Sequence, residues 1–173
     1  MERHTAEESR HTVEESVFVA ASAESVYRAV SDVRRMGEWS PECVGVWSSS
    51  RRFDVGSRFI GFNRRRVWFW FTSCSVVRAE ENREFAFEVR TFGMPVALWG
   101  YRFEARGGGS QITEYWDDRR SGSSAPVAKL LGLVFTGTPP ANRAAVNRAG
   151  MRTTLGRIKA AVENGENPQV SGI

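Results

Sequence analysis

The pattern of hydrophobic and polar positions is most distinctive at residues 67–71, where five large apolar residues (VWFWF) follow one another. β-Branched and aromatic residues favour an extended, pleated backbone, so this run predicts the centre of a β-strand. A strand with one solvated face alternates apolar and polar residues, and this run does not. We therefore expect both of its faces to be covered, by a core, a ligand or another protein.

Alternation and turn residues predict the other elements of the first two thirds of the chain. Residues 13–21 alternate as a first strand, and Ser22 is a good N-cap for a helix that ends near Asp32. Residues 33–36 predict a second short helical turn, which Gly37 stops. A turn is predicted at 38–41, and six further strands are predicted at 43–48, 57–63, 67–80, 84–91, 96–105 and 111–118. The links between the later strands are short and contain Gly, Pro or Asn, as at 93–95 and 107–109, which predicts an antiparallel meander.

The longest helical pattern covers residues 142–163. Its apolar residues recur at spacings of four, three and four and form one stripe, which consists of Met151, Leu155, Ile158 and Val162. A sheet with one apolar face and a helix with one apolar stripe must bury them together. The sequence therefore predicts an α+β fold in which a curved antiparallel sheet of about seven strands wraps around this helix, with two short helices after the first strand. Residues 13–163 are predicted to form a single domain between a disordered tail (1–12) and a flexible C-terminal tail (164–173).

Composition and charge narrow the classes of partner. Six Trp and eleven Phe among 173 residues suit the lining of a concave apolar pocket. Lys and Arg total 24 against 20 Asp and Glu, and the formal net charge of +4 is spread along the chain. The arginine clusters at 51–52 and 64–66 lie beside aromatic residues, but these alternate into an apolar face and are not available for stacking on bases. We interpret both clusters as solvated hairpin tips and predict no nucleic-acid partner.

Histidine and cysteine usage argues against metal and histidine chemistry. His4 and His11 are the only histidines, and both lie in the polar N-terminal segment. Cys43 and Cys74 are far apart and match no metal-ligand spacing, so both are predicted to be free thiols, and no cofactor is predicted. No apolar run approaches the roughly 18 to 20 residues that span a bilayer, and residues 1–12 lack the apolar core of a signal peptide. We therefore expect no integral membrane segment and a cytoplasmic location.

Several motifs occur in an order that carries a family resemblance. They are ASAESVY (21–27), EWSP (38–41), VGSRF (55–59), GFN (61–63), WGYRFE (99–104), GSQITE (109–114) and GMRTTL (150–155). In this order and spacing the chain resembles the START-like, or Bet-v-1-like, superfamily (SRPBCC), and especially its bacterial polyketide cyclase/dehydrase branch, over residues 13–163. The resemblance implies a helix-grip fold with an internal cavity between the sheet and the long helix. It says less about function, because members of this superfamily bind and transform very different apolar molecules.

The period of two along a strand predicts which side chains enter that cavity. Trp99 and Tyr101 alternate with the charged Arg102, for example, and are therefore assigned to the inner face. The residues predicted to bind the ligand are Phe59, Asn63, Trp70, Phe87, Trp99, Tyr101, Glu114, Trp116, Met151 and Leu155. Phe87 is in this set although simple core packing is the favoured explanation for it.

Glu114 is the most informative polar residue of the set. Burying a carboxylate on an aromatic face is costly unless it is paired, or unless its pKa rises so that it stays neutral. A neutral Glu114 could act as a general acid or base on a carbonyl compound, but a salt bridge to an arginine at the sheet margin is the favoured alternative. Tyr101 and Asn63 are the other catalytic candidates, for proton transfer or carbonyl polarisation. Asn63 has an alternative role as a cap of the adjacent turn.

The same period of two divides the apolar run at 67–71. It assigns Trp68 and Trp70 to the cavity side and Phe69 and Phe71 to the outer side. An outward aromatic pair on a sheet is exposed apolar surface of the kind that usually meets a partner. We therefore predict a homodimer that uses this face.

Two functions are predicted for the cavity. The first is binding, without chemistry, of a small hydrophobic molecule of polyketide, lipid or aromatic type. The second is an aromatase, cyclase or dehydratase reaction on a polyketide-like chain, so the sequence leaves open whether the protein is an enzyme. Binding ranks first because no multi-residue catalytic constellation is visible, and a protein-interaction role of the outer sheet face ranks third. The apolar segment 127–135 is either a lid over the cavity mouth or part of the core.

Overall fold

The structure, a computed structural model, describes residues 12–120 and 140–165, and every structural statement below concerns this part of the chain. Its elements are β1 (Thr12–Val19), α1 (Ala23–Ser31), a 3-10 helix (Val33–Arg35), α2 (Met36–Trp39), β2 (Cys43–Trp47), β3 (Arg58–Arg65), β4 (Trp68–Glu80), β5 (Glu84–Thr91), β6 (Met94–Arg106), β7 (Gly109–Asp118) and α3 (Pro140–Glu163). All seven strands form one antiparallel sheet in the order β1-β7-β6-β5-β4-β3-β2. The predicted α+β class, with about seven strands and a long C-terminal helix, is confirmed. The segment 127–135 and most of both predicted tails lie outside the described residues.

The sheet is curled, and α3 packs on its concave face. Three of the ladders contain register shifts, between β2 and β3, between β4 and β5, and between β5 and β6. Such bulges bend a strand and increase its local twist. Met151, Leu155 and Ile158 of α3 belong to the same buried cluster as Phe85 and Ile112 of the sheet. The predicted apolar stripe of the helix is therefore the surface that meets the sheet.

The turn between β5 and β6 is shorter than the sequence pattern predicts, because it contains two residues. Between β5 and β6, Phe92 and Gly93 have φ of 50° and 76°. A left-handed pair of this kind matches the twist of the flanking strands, so no further turn residue is needed. β6 therefore begins at Met94, and Pro95 enters the ladder beside a bulge, where a missing N–H is tolerated. The predicted link at 93–95 is wrong because two of its residues belong to β6.

The helices after β1 differ from the prediction at Gly37. Ser22 caps α1 as predicted, because its Oγ accepts a hydrogen bond from Ser25 N at 3.1 Å. Gly37, however, lies within α2 and does not stop a helix. Trp39 is 4% exposed, and the Arg35 guanidinium lies 4.4 Å from its ring centroid. This packing outweighs the cost of about 1 kcal/mol for glycine in a helix, so the predicted turn at 38–41 is helical in its first half.

Candidate functional site

A cavity of about 720 Å³ lies between the concave face of the sheet and α3. Small-molecule sites occupy roughly 300–1,000 Å³. The predicted residues on its wall are Phe59, Asn63, Trp70, Phe87, Trp99, Tyr101, Glu114, Trp116 and Met151. Most of these side chains are aromatic, and they come from five neighbouring strands and one helix. The strands and α3 therefore form a largely apolar wall.

Leu155 is the one residue of the predicted ligand-binding set that does not line the cavity. It is 2% exposed and belongs to the close-packed core, as Ile158 does. Met151, one turn earlier on the same helical face, lines the cavity. The spacing identifies the buried face of α3 correctly. It does not indicate where along that face the cavity ends and the core begins.

The apolar run of β4 divides between the two faces of the sheet, with one exception. Trp70 is 9% exposed and lines the cavity, whereas Phe69 and Phe71 are 57% and 55% exposed on the outer face. Trp68 shares the parity of Trp70 but is 42% exposed and does not line the cavity, because it is the first residue of β4 and lies next to the turn. Among the described residues nothing covers the outer face of this run fully, so its cover by another protein stays untested. The homodimer stays a prediction.

Tyr101 and Glu114 form a buried pair on the cavity wall. They lie opposite each other in the β6–β7 ladder, and Tyr101 Oη donates a hydrogen bond to Glu114 Oε1 at 3.0 Å. The two residues are 6% and 3% exposed. Among the described residues no arginine forms a salt bridge with Glu114, so the favoured alternative from the sequence, an ion pair at the sheet margin, is wrong. The register of the two strands places a phenol there instead.

Burial determines the protonation state of this pair. It raises the pKa of Glu114 to about 8, although the hydrogen bond from Tyr101 lowers that pKa in part. Burial and the adjacent carboxyl raise the pKa of Tyr101 well above its usual value. Glu114 is therefore mostly protonated at neutral pH. Its Oε2 has no hydrogen-bond partner in the described part of the chain, which leaves a neutral carboxyl on the cavity wall with one oxygen uncommitted.

Asn63 is on the cavity wall but is partly engaged by its own sheet. Its Nδ2 donates to Gly61 O at 3.3 Å and lies 3.5 Å from Thr72 Oγ1. It does not cap the adjacent turn.

Cys43 and Cys74 also line the cavity, and burial raises the pKa of Cys74 to about 12, so that thiol stays protonated.

Residues 12–120 and 140–165 contain neither a candidate metal site nor a membrane-spanning helix. No group of three or more His, Cys, Asp or Glu side chains in these ranges could hold a metal ion. No helix in them is long and apolar enough to cross a membrane.

A polar stripe on α3 also lines the cavity, and the sequence reasoning did not identify it. It consists of Arg143, Asn147 and Thr154. Asn147 and Thr154 are 4% and 3% exposed, and Asn147 Nδ2 has no hydrogen-bond partner in the described ranges. A signal was present: continuing the apolar stripe from Met151 towards the N-terminus in steps of four reaches Asn147 and then Arg143. Both positions are polar, and polar residues are typical of the solvent-exposed face of a helix.

Of the three arginines at 64–66, two are exposed at a hairpin tip, as predicted, and the third forms an ion pair. Arg64 and Arg66 are exposed, as a hairpin tip requires. Arg65 is half-buried, and its Nε lies 3.7 Å from Glu42 Oε1. Arg143 Nη2 donates to Glu42 Oε2 at 2.8 Å. Two arginines from distant parts of the chain thus share one carboxylate on the cavity wall.

Comparison with known proteins places this architecture in a family. The sequence model for "Polyketide cyclase / dehydrase and lipid transport" matches residues 10–163. A search of curated proteins gave no significant match. Among solved structures, the solution structure of the Polyketide_cyc-like protein Cgl2372 from Corynebacterium glutamicum is 29% identical, with a TM-score of 0.56, and the alignment covers 94% of this chain and 97% of that one.

Two further solved structures share the fold at lower identity. The di-domain ARO/CYC protein StfQ from the steffimycin biosynthetic pathway is 15% identical, with a TM-score of 0.66 over 90% of this chain and 51% of that one. DynU16, a protein of the dynemicin biosynthetic locus, is 18% identical, with a TM-score of 0.59 over 89% and 48%. The chain spans about half the length of these two proteins. At these identities the likeness concerns the fold alone.

Proposed function

The chain belongs to the polyketide cyclase/dehydrase and lipid transport family, and on this premise we propose that it binds a small hydrophobic molecule of polyketide, lipid or aromatic type in the cavity between its sheet and α3. The observation that carries the proposal is the cavity of about 720 Å³ with its aromatic wall. Buried aromatic side chains supply large apolar contact area at a small cost in conformational entropy. The few polar groups on the wall would then orient the ligand.

A blocked cavity provides the test. Gly150 lines the cavity, and a Cβ built there meets only Pro41 Cγ, at 3.7 Å. A Gly150→Leu side chain therefore projects into the cavity space without a clash at its Cβ. Gly156 lies on the same helix and is exposed, and a Cβ built there meets no atom within 4 Å. Gly156→Leu thus makes the same chemical change away from the cavity.

The neutral fluorescent probe N-phenyl-1-naphthylamine reports the outcome. We expect the native protein and Gly156→Leu to bind it with a stoichiometry of one and with similar affinity. Gly150→Leu should weaken binding by at least about tenfold, because the side chain occupies the volume that the probe needs. Equal binding by Gly150→Leu and Gly156→Leu would place the probe elsewhere and refute the proposal.

A second candidate function, aromatase, cyclase or dehydratase chemistry in the same cavity, is favoured by the Tyr101–Glu114 pair. A carboxyl that is neutral at neutral pH can donate a proton or a hydrogen bond to a carbonyl oxygen of a bound chain. Tyr101 would orient that carboxyl through Oε1, and Asn63 would polarise a second carbonyl. This arrangement would favour loss of water or ring closure in a poly-β-keto chain held nearby.

Glu114→Gln separates this function from binding alone. The amide keeps the size of the side chain and can still accept the hydrogen bond from Tyr101, but it has no acidic proton. If the enzyme hypothesis holds, turnover of a cyclisable poly-β-keto thioester should fall by at least about a hundredfold, whereas probe binding should change little. Unchanged turnover would remove Glu114 from the mechanism, and absence of any product from the native protein would leave binding as the function.

A further inference from the structure

The first two turns of the cavity-lining face of α3 carry two buried N–H donors without a partner. Arg143 Nη1 and Asn147 Nδ2 are both buried and have no hydrogen-bond partner in the described residues. They belong to residues four apart in the helix, so they lie on one face. Both residues line the cavity, and Asn147 is 4% exposed. Leaving buried donors unpaired costs free energy, so an acceptor inside the cavity is the expected partner for both.

Most of the charged residues that line this part of the cavity are arginines. Glu42 is the shared carboxylate of Arg143, at 2.8 Å, and of Arg65, at 3.7 Å. Two guanidinium groups therefore face this carboxylate, and the other two arginines of the cluster at 64–66, which are exposed, also line the cavity and add positive charge. Arg120, which also lines the cavity, pairs with Asp118 through contacts of 2.8 and 2.6 Å. This positive charge lies beside Glu42, at the end of β3 and the start of α3.

From these donors and this charge we infer that the ligand is an organic carboxylate, whose two oxygens accept hydrogen bonds from Arg143 Nη1 and Asn147 Nδ2 while its apolar body lies against the aromatic wall. This inference rests on the proposed binding function and specifies its ligand class. A guanidinium and an amide one turn apart on a helix can present two N–H groups to the two oxygens of one carboxylate, and such charge-assisted hydrogen bonds are among the stronger ones.

The opposite part of the cavity wall carries little negative charge, so it does not repel an anion. Glu114 lies on β7, and β6, β5 and β4 separate it from β3 in the sheet. Because burial raises its pKa to about 8, it carries little negative charge at neutral pH. A carboxylate ligand thus meets positive charge at one side of the cavity and a neutral carboxyl at the other. The arrangement suits a molecule with an acid at one end and a carbonyl or hydroxyl at the other.

The test compares two fluorescent probes that differ in one group, 1-pyrenebutanoate and 1-pyrenebutanol. At low ionic strength the native protein should bind the acid about tenfold more tightly than the alcohol. Arg143→Met keeps an apolar stem but removes the charge, so it should bring the affinity for the acid down to that for the alcohol. Asn147→Leu should weaken binding of the acid by a smaller factor.

Two further variants make the test specific. Arg152→Met is the matched control, since Arg152 is on α3, is 66% exposed and pairs with Glu15 away from the cavity; both affinities should stay unchanged. Glu42→Gln removes the carboxylate that competes for Arg143, and it should strengthen binding of the acid alone. If Arg143 and Glu42 had only a structural role, Glu42→Gln would weaken both probes or neither.

The outcomes distinguish this inference from the function on which it rests. If the acid and the alcohol bind equally well, and neither Arg143→Met nor Glu42→Gln changes their ratio, the carboxylate inference is overturned while cavity binding stands. Loss of both affinities in Arg143→Met, without a gain for the acid in Glu42→Gln, also overturns it. If neither pyrene probe nor the neutral naphthylamine probe binds, the proposed binding function itself fails.

Discussion

Replacing Glu114 by Gln tests the electrostatics of the cavity wall. In the native protein this side chain is 3% exposed, and its partner among the described residues is Tyr101. Gln has nearly the same shape and still accepts the hydrogen bond, but it cannot ionise. The difference between the two proteins in the pH dependence of the unfolding free energy therefore reports the ionisation of this one buried carboxyl.

The magnitude and sign follow from the pKa. Folding raises the pKa of Glu114 from 4.5 to about 8, a rise of about 3.5, and each pKa unit corresponds to about 1.4 kcal/mol. Because the folded pKa is the higher one, the contribution to stability is fully present below pH 4.5 and is lost as pH rises to about 8. The upper bound of this loss is about 5 kcal/mol. Glu114→Gln should lack this part of the pH dependence.

Urea unfolding followed by Trp fluorescence, at half-unit steps from pH 5 to pH 8.5, measures the effect. Other ionisable groups contribute equally to both proteins, so the quantity of interest is the stability of the native protein minus that of Glu114→Gln. We expect this difference to fall by about 2–5 kcal/mol over the range, with a slope of up to about 1.4 kcal/mol per pH unit. Parallel pH profiles would mean that Glu114 ionises normally, and the neutral carboxyl on the cavity wall would have to be abandoned.

Three further predictions concern neighbouring features. Tyr101→Phe removes the hydrogen bond that lowers the pKa of Glu114, so the pH at which stability is lost should move upwards in the same urea experiment; an unmoved profile would contradict the role of that bond. Gly100→Ala should lower the thermal midpoint, at a cost of about 1–3 kcal/mol, because a Cβ at Gly100 would lie 2.2 Å from Tyr115 Cζ; an unchanged midpoint would show that the ring moves away freely. Replacing both Phe69 and Phe71 by Ser should convert a dimeric parent into a monomer in analytical ultracentrifugation, and a parent that is monomeric at high concentration would refute the predicted homodimer.

The faces of the strands could be predicted because side-chain alternation is a local property. Trp99 and Tyr101 on β6, and Glu114 and Trp116 on β7, line the cavity as the period of two requires. β5 runs from Glu84 to Thr91, the predicted bounds. On β6 the charged Arg102 and Glu104, which alternate with the inner residues, fix the parity, since an arginine is rarely buried without a partner.

The partner of Glu114 could not be predicted, because it depends on the number of residues in the turn between β6 and β7. The predicted link at 107–109 contains three residues, whereas β6 ends at Arg106 and β7 begins at Gly109. A two-residue turn places Arg106 opposite Gly109 and, counting outwards along the ladder, Tyr101 opposite Glu114. One residue more in the turn would have paired Glu114 with a different residue.

The extent of the cavity could not be predicted from the sequence either. Trp68 and Leu155 have the parity and spacing of cavity residues, but one lies at the end of its strand and the other lies in the close-packed core. Arg143 and Asn147 look like surface residues until the hollow beside them is known. How a buried face divides between cavity and core is set by the packing of several elements, which no single segment encodes.

The indole N–H resonances of the tryptophans test most directly whether this cavity binds a small hydrophobic molecule. Trp70, Trp99 and Trp116 line the cavity, whereas Trp47 and Trp68 do not and are 60% and 42% exposed. In proton–nitrogen correlation spectra, saturation with N-phenyl-1-naphthylamine should shift the signals of the three cavity tryptophans and leave those of Trp47 and Trp68 in place. Shifts confined to Trp47 and Trp68, or no shifts at saturating probe, would contradict the account.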